Sequence, residues 1–449
     1  MKKILFIALN SSWSQSNLAL YYLREMISDL PYEAKMLSFT LKEPLHQVLE
    51  SIYFEDPDVL CFSAYIWNRI FLENLQRELS KVLPRAIFVI GGPEAEGFMK
   101  ATNCIAIFGA GEAAFKELAE RDFCTPVESR KQIQTPLKDI PFPYRTEDVD
   151  QLGGHLIYYE CFRGCPYSCV YCLSAQDKRS ENRFDLNIPQ DVLRLNEELG
   201  LLCALEPKTL KFIDRSFNFQ KDLAHHIWTF LIETRPGFDT HFEIYPDLID
   251  AKDIEVLSRA PAGLIRFEVG IQSTNDSILK NSGRYSDWDK SRNTLLELKS
   301  KTEIRIHADL LVGLPGEEID SILNSINELC SCEPDAVQLG MLKILPDTPM
   351  QDIARQRGYL WMDLPPYQIL QTDSLSFSQL CLLSDYAHLL NLYWNKEEFK
   401  ESWHIMLQDF SAIHILDTLK RSHEARKLPL HSLSRQKREL VMQELSTLL

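Results

Sequence analysis

No stretch of this 449-residue chain approaches the ~20 consecutive apolar residues that a membrane-crossing helix needs, which argues against a helical membrane protein. Positive charge is also scarce. Lys and Arg number 48 against 64 Asp and Glu, a net charge of −16. Phosphate backbones and anionic lipid surfaces demand clustered cations, so no nucleic-acid partner and no membrane partner is expected. The chain has no internal repeat and no low-complexity tract. No signal peptide is expected, because the apolar run Ile4–Leu9 is too short and Asn10-Ser11-Ser12 leads into no cleavage-like segment; a buried first strand is the expectation. Eleven cysteines without a secretion signal fit a reducing compartment where thiols stay free for metal, and the expected localisation is cytoplasmic. What remains is an ordinary globular composition, 45% hydrophobic and 25% charged, long enough for two or three domains.

Three blocks follow along the chain. Over residues 1–134, short apolar runs at Ile4–Leu9, Val59–Ser63, Ile87–Ile90 and Cys104–Phe108 read as strands. Leu18–Leu30, Ile70–Val82 and Glu112–Glu120 read as amphipathic helices, an alternation that implies a doubly wound parallel sheet. A proline-rich linker occupies residues 135–150. Residues 151–350 hold six strand-like runs, His155–Glu160, Thr209–Asp214, His241–Tyr245, Leu264–Ile271, Arg305–Val312 and Ala336–Ile344. Helical patterns separate them, as in a partial (β/α)6 barrel whose chemistry sits at the carboxyl ends of the strands. Residues 351–449 are helical, with Asp385–Trp394 and Phe410–Lys420 the clearest pieces and Lys420–Lys437 a solvated surface. The expected class is α/β with a carboxy-terminal helical region.

The chemistry concentrates in Cys165-Pro166-Tyr167-Ser168-Cys169-Val170-Tyr171-Cys172, directly after the first strand of the second block. Three thiolates on one short loop can hold three irons of a cubane and leave the fourth open to a small molecule, whereas a four-cysteine site only moves electrons. A zinc knuckle is the plain alternative, but zinc wants two ligand pairs and no second Cys-x-x-Cys or His pair follows. Cys161 is either a fourth ligand that would close the site or a buried bystander.

This spacing, with an aromatic before the third cysteine, resembles the radical S-adenosylmethionine (SAM) enzymes. The resemblance implies a 4Fe-4S cluster on Cys165, Cys169 and Cys172, SAM chelated at the open iron, and Tyr171 against the adenine. Phe267–Ser273 looks like the fourth-strand segment of that superfamily, which implies that Glu268 and Gln272 meet the amino group and ribose of SAM. Ser282-Gly283-Arg284 follows at the spacing of an arginine that faces the SAM carboxylate, a group that a guanidinium fork matches bidentately. Asp309 heads a segment similar to the ribose-binding fifth strand, and Leu345–Pro349 resembles the sixth-strand end. Where many members carry Gly-Gly-Glu, this chain has Phe212-Ile213-Asp214-Arg215, which makes Asp214 a candidate for the rim.

A doubly wound block before such a barrel resembles the cobalamin-dependent branch. That resemblance implies that Ser63 and Tyr65, Gly91 and Gly92, and Gly111 cradle the nucleotide tail of cobalamin. The usual Asp-x-His-x-x-Gly loop is replaced by Asn10–Asn17, which has no histidine, and His46 and His155 lie elsewhere in the sequence. Either the cofactor is lost or cobalt is held without an imidazole, with Trp13, Gln15 or Asn17 facing it. The function implied is cobalamin-dependent methylation of an unactivated carbon in a small-molecule or peptide substrate, with electrons from an external donor such as flavodoxin or ferredoxin. A radical SAM isomerase, cyclase or oxidoreductase without methyl transfer is the first alternative. A non-catalytic metal-binding module is the second.

Overall fold

The computed structural model describes residues 1–124, 135–176 and 182–448. The expected boundary at residue 134 therefore lies outside the described residues. The chain divides into two compact units, Met1–Phe162 with Glu181–Ile213, and Arg163–Ser180 with Asp214–Leu449. No described helix is long and apolar enough to cross a membrane.

The first unit opens with strands β1 (Lys3–Asn10), β2 (Glu33–Thr40), β3 (Val59–Ser63), β4 (Ile87–Gly91) and β5 (Cys104–Ala106), which form one parallel sheet in the order β2-β1-β3-β4-β5. Helices α1 (Leu18–Met26), α2 (Leu45–Tyr53), α3 (Arg69–Val82) and α4 (Glu112–Glu120) cover it. Two apolar layers result. Leu5, Ile7, Leu60 and Phe88 pack with α2 and α3 on one face, and Phe6, Cys61 and Val89 pack with α4 on the other. A parallel sheet coated on both faces needs such continuous apolar runs, which is why β1, β3 and β4 are legible in the sequence. The order reverses between β1 and β3, and ligands of such sheets bind in the crevice outside the strand ends at that point.

The proline-rich segment is packed, not solvated. Leu137 and Ile140 are buried, and the Arg194 guanidinium donates to the carbonyls of Lys138 and Ile140, each at 2.6 Å. Arg24 of α1 reaches Asp148 through two bonds of 2.7 and 2.6 Å, both side chains buried. Strand β6 (Leu156–Tyr159), helix α5 (Pro189–Ala204) and strand β7 (Thr209–Phe212) complete the unit, with β6 and β7 parallel.

In the second unit, β8 (Asp239–Ile244), β9 (Ile265–Gln272), β10 (Arg305–Val312) and β11 (Ala336–Met341) run parallel as consecutive neighbours. Helix α6 (Lys221–Thr234) precedes β8, and α7 (Ala251–Leu257), α8 (Asp276–Asn281), α9 (Trp288–Lys301) and α10 (Ile319–Ser331) come between the strands. The six strands expected in the second block are all present in chain order. Burial alternates strictly along β9. Phe267, Val269 and Ile271 are buried, with Phe267 and Phe242 against Trp228 of α6, while Arg266, Glu268, Gly270 and Gln272 occupy the opposite face. The helical tail holds α11 (Met350–Gln356), α12 (Phe377–Leu389), α13 (Ala412–Arg426) and α14 (Arg435–Leu448).

Candidate functional site

The cysteine loop belongs to the second unit. Cys165 and Cys169 are buried and Cys172 is half-buried. Two backbone bonds pin the loop: Val170 N–H donates to Ser282 O at 3.0 Å, and Met350 N–H donates to Val170 O at 3.0 Å. Burial pushes the Cys165 thiol up, and the charges of Cys172 and Cys169 push it further. The three sulfurs thus share one neighbourhood in which a cationic centre would be stabilised. Among the described residues no three ligating side chains converge on a single metal ion. A cubane asks for a different arrangement, because each thiolate takes its own iron. The donor set fits such a cluster.

Around the loop stands an aromatic and cationic stack. Tyr167 lies on Tyr245 with centroids 4.3 Å apart and planes at 15°, and the Arg284 guanidinium covers the same Tyr245 ring at 4.3 Å. Arg284 is 7% exposed, donates to Gly270 O, and keeps a buried Nε–H without a hydrogen-bond partner. Burial opposes its charge, but Tyr171, Tyr245 and Cys169 restore it. The Tyr171 hydroxyl is likewise buried without a hydrogen-bond partner, and burial raises its pKa against the pull of Arg284. Both groups interact with Cys169, so a buried phenol and a buried guanidinium stand beside the thiols, where an anionic, hydrogen-bonding ligand would meet them.

Gly283 presses the same region together. Its φ is +71°, and a Cβ there would stand 2.5 Å from Ser168 O. Gly283→Ala therefore combines left-handed strain, about 1–3 kcal/mol, with a collision against the cysteine loop. After iron and sulfide reconstitution this variant is expected to retain less iron per chain than the parent, at a lower thermal midpoint.

The remaining expected contacts lie on the polar face of the strands. Asp214 is 2% exposed. Gln272 ends β9 at φ +71°, its amide folded back over Gly270, where the register with β10 shifts. Asp309 stands opposite Gly270, level with the carbonyl that receives Arg284. Glu268 is one step deeper, opposite His307 and Glu243, and 3.0 Å from His241 Nε2. Arg215 pairs with Glu243 and is drawn also by Cys172 and Glu268. His241, Glu243 and His307 escaped the sequence reading. Their signal is the period-2 alternation of His241-Phe242-Glu243 and of Ile306-His307-Ala308-Asp309, charged on one face only.

Burial pushes Glu317, in the turn after β10, up to about 7, with the Ser273 and Ser321 hydroxyls opposing the rise. The fold thus prefers the protonated acid. Its contribution is present below the unfolded value of about 4.5 and is lost as pH climbs through about 7, a loss on the order of 3 kcal/mol. Denaturant midpoints measured from pH 4.5 to 8 are expected to fall more steeply for the parent than for Glu317→Gln.

In the first unit, the seven candidates gather at strand carboxyl ends and at the start of α4. Trp13 and Gln15 follow β1, Ser63 and Tyr65 end and follow β3, Gly91 and Gly92 end and follow β4, and Gly111 precedes α4. Buried Asn68 joins the switch point, donating to Ser63 O at 2.9 Å and Leu9 O at 3.3 Å and accepting from Tyr65 N–H at 2.8 Å. Gly92, at φ +95°, lies against Ala64, whose carbonyl would meet a Cβ at 2.5 Å, so loop-to-loop packing alone accounts for this glycine. Trp13 is 72% exposed, and the Gln15 amide oxygen is engaged by Ser11 Oγ at 2.7 Å. His155, which its sequence position set apart from this loop, in fact packs its ring on Trp13 at 4.3 Å. Half-buried Tyr65 stacks coplanar with exposed Trp67, 4.3 Å apart at 7°, beside the same strand end.

Comparison with known proteins gives three family matches: a B12 binding domain over residues 5–119, the Radical SAM superfamily over residues 159–329, and a Protein of unknown function (DUF4080) over residues 355–437. Among curated proteins, the cobalamin-dependent radical SAM methyltransferase TokK of Streptomyces tokunonensis is 23% identical over 69% of this chain and 50% of its own length. The 2-(S-pantetheinyl)-carbapenam-3-carboxylate methyltransferase of Streptantibioticus cattleyicolor is 24% identical over 68% of this chain and 49% of its own. The chain thus spans about half the length of these relatives. Among solved structures, the methyltransferase TsrM of Kitasatospora setae aligns with TM-score 0.64 at 17% identity, covering 81% of this chain and 77% of that one. The cobalamin-dependent SAM radical enzyme OxsB aligns with TM-score 0.65 at 13% identity, covering 100% of this chain and 71% of that one.

Proposed function

We propose that this chain, which matches the Radical SAM superfamily over residues 159–329 and a B12 binding domain over residues 5–119, methylates an unactivated carbon of a small-molecule or peptide substrate. When bound, the 4Fe-4S cluster and SAM supply a carbon-centred radical and cobalamin supplies a methyl carrier; the protein orients them and excludes water.

The observation that carries the reading is the loop of three cysteines held against Tyr171 and Arg284. Cys165, Cys169 and Cys172 hold the cluster. The Arg284 guanidinium, fixed by Gly270 O and the Tyr245 ring, faces the SAM carboxylate, and Tyr171 lies against the adenine. Gln272, Glu268, Asp309 and Asp214 serve the amino group and the ribose. Trp13, Gln15, Ser63, Tyr65, Gly91, Gly92 and Gly111 hold cobalamin at the switch point between β1 and β3, where relatives named as cobalamin-dependent support the assignment. Electrons come from an external one-electron donor.

The test is anaerobic reconstitution with iron, sulfide and hydroxocobalamin, followed by desalting and quantification of each per chain. S-adenosylhomocysteine together with 5′-deoxyadenosine on adding SAM and reductant is the expected product pair once a substrate is supplied. Deoxyadenosine alone across substrates overturns methyl transfer, and loss of all corrinoid on desalting overturns the cobalamin assignment.

A further inference from the structure

Glu317 touches none of the groups assigned above, yet it is 1% exposed. Its Oε1 accepts from Ser273 Oγ at 2.5 Å and from Ser321 Oγ at 3.1 Å, while its Oε2 is sealed from solvent with no hydrogen-bond partner. A buried, half-satisfied carboxyl group costs stability, and such costs concentrate where a side chain serves a functional site.

What it holds is the turn at the end of β9. Ser273 follows Gln272, the residue at positive φ where the register with β10 shifts. Ser273 Oγ accepts from Asn275 N–H at 3.1 Å, and Asn275 Nδ2 donates to Ser321 Oγ at 3.3 Å. Thr274 N–H donates to Ser325 Oγ at 3.0 Å. The turn is thereby tied at three successive residues, Ser273 to Glu317 and Thr274 and Asn275 to α10. Asn275 then caps α8, its Oδ1 accepting from Ser277 N–H at 3.1 Å and Ile278 N–H at 3.4 Å.

Helix α8 has six residues, too few to set its own direction, so its anchors set it. Its exit is Ser282-Gly283-Arg284. Ser282 O receives Val170 N–H of the cysteine loop, Gly283 lies against Ser168, and Arg284 reaches Gly270. Leu314, in the same turn as Glu317, packs with Ile278, Leu279 and Tyr171.

We infer that Glu317 is a positioning residue: through Ser273 it fixes the turn from which α8 delivers Arg284 and Gly283 onto the cysteine loop. The inference rests on the reading of that loop as the SAM site. Glu317 contacts neither cluster nor SAM and acts only through Ser273, Ser321 and the capped helix.

The test uses the full chain, reconstituted anaerobically, as parent, Glu317→Ala, Glu317→Gln and Ser273→Ala. Backbone amide exchange over residues 276–284 is measured without SAM. The KM and kcat for SAM in 5′-deoxyadenosine formation, and the electron paramagnetic resonance of the reduced cluster with and without SAM, are measured alongside iron per chain. In Glu317→Ala and Ser273→Ala, exchange over 276–284 is expected to rise and KM to increase about tenfold or more, with iron content kept and kcat little changed. Glu317→Gln keeps an acceptor for Ser273 and is expected to stay within about threefold of the parent. A lower thermal midpoint with parental KM, parental exchange and a parental SAM-induced spectral change overturns the inference, because that is a structural role only. If Glu317→Ala does not fold, Ser273→Ala decides, and parental behaviour there overturns it. If the parent itself shows no SAM-induced spectral change, the SAM reading fails, and the exchange measurement still reports whether Glu317 holds the turn.

Discussion

Alanine at any one of Cys165, Cys169 or Cys172 abolishes reductive SAM cleavage, by at least about a thousandfold, because the three thiols act as one unit and the loss of one leaves an iron unheld. Cys161→Ala retains iron and cleavage. Cys161 is fully buried beside Tyr159, in the compact unit that does not include the three cysteines of the loop. Iron and sulfide per chain, the cluster's visible absorbance and 5′-deoxyadenosine formation check both halves. Loss of iron in Cys161→Ala together with the other three would identify a closed, four-thiolate site and end the SAM assignment.

Arg284→Lys raises the KM for SAM about 10- to 100-fold with iron content unchanged, and Arg284→Ala does so at least as strongly. A charge-assisted hydrogen bond is worth about 1.5–3 kcal/mol, and a lysine reproduces neither the fork nor the flat stack on Tyr245. The positional demand is strict. Arg284 spends one arm on Gly270 O, so its orientation is set before any ligand arrives. Isothermal titration of the reconstituted, unreduced protein with SAM separates this loss of affinity from any loss of chemistry. Unchanged affinity in both variants would remove Arg284 from the SAM site.

Much of this was legible in the sequence, for reasons that differ by residue. The cysteine loop can be read because cluster chemistry constrains the spacing of its ligands. Strands β1, β3 and β4 can be read because both their faces are buried. Strand β2 and helix α2 went unread. Glu33–Thr40 is a partly exposed edge strand paired only with β1, and Leu45–Tyr53 buries only Val48 and Ile52. The helix expected to reach Leu30 stops at Met26, and the strand expected to reach Ile344 stops at Met341. The shift between Gly270 and Gln272 depends on how two strands meet, which neither strand encodes alone. The same holds for His155 against Trp13, a contact between residues distant in sequence that no local pattern carries. Glu317 carries no signal of its own in the sequence, because its significance lies in the hydroxyls that surround it.

The charged rows on β8, β9 and β10 have one further consequence. The neighbouring residues Phe242, Phe267 and Val269 supply the apolar burial that keeps these strands folded, while Glu243, His241, Glu268 and His307 face away from that layer. Folding and recognition are therefore written on alternate residues of the same strands. Substitutions on the polar row leave the hydrophobic layer of the strands intact, so they change what the row can bind without removing the apolar burial beneath it.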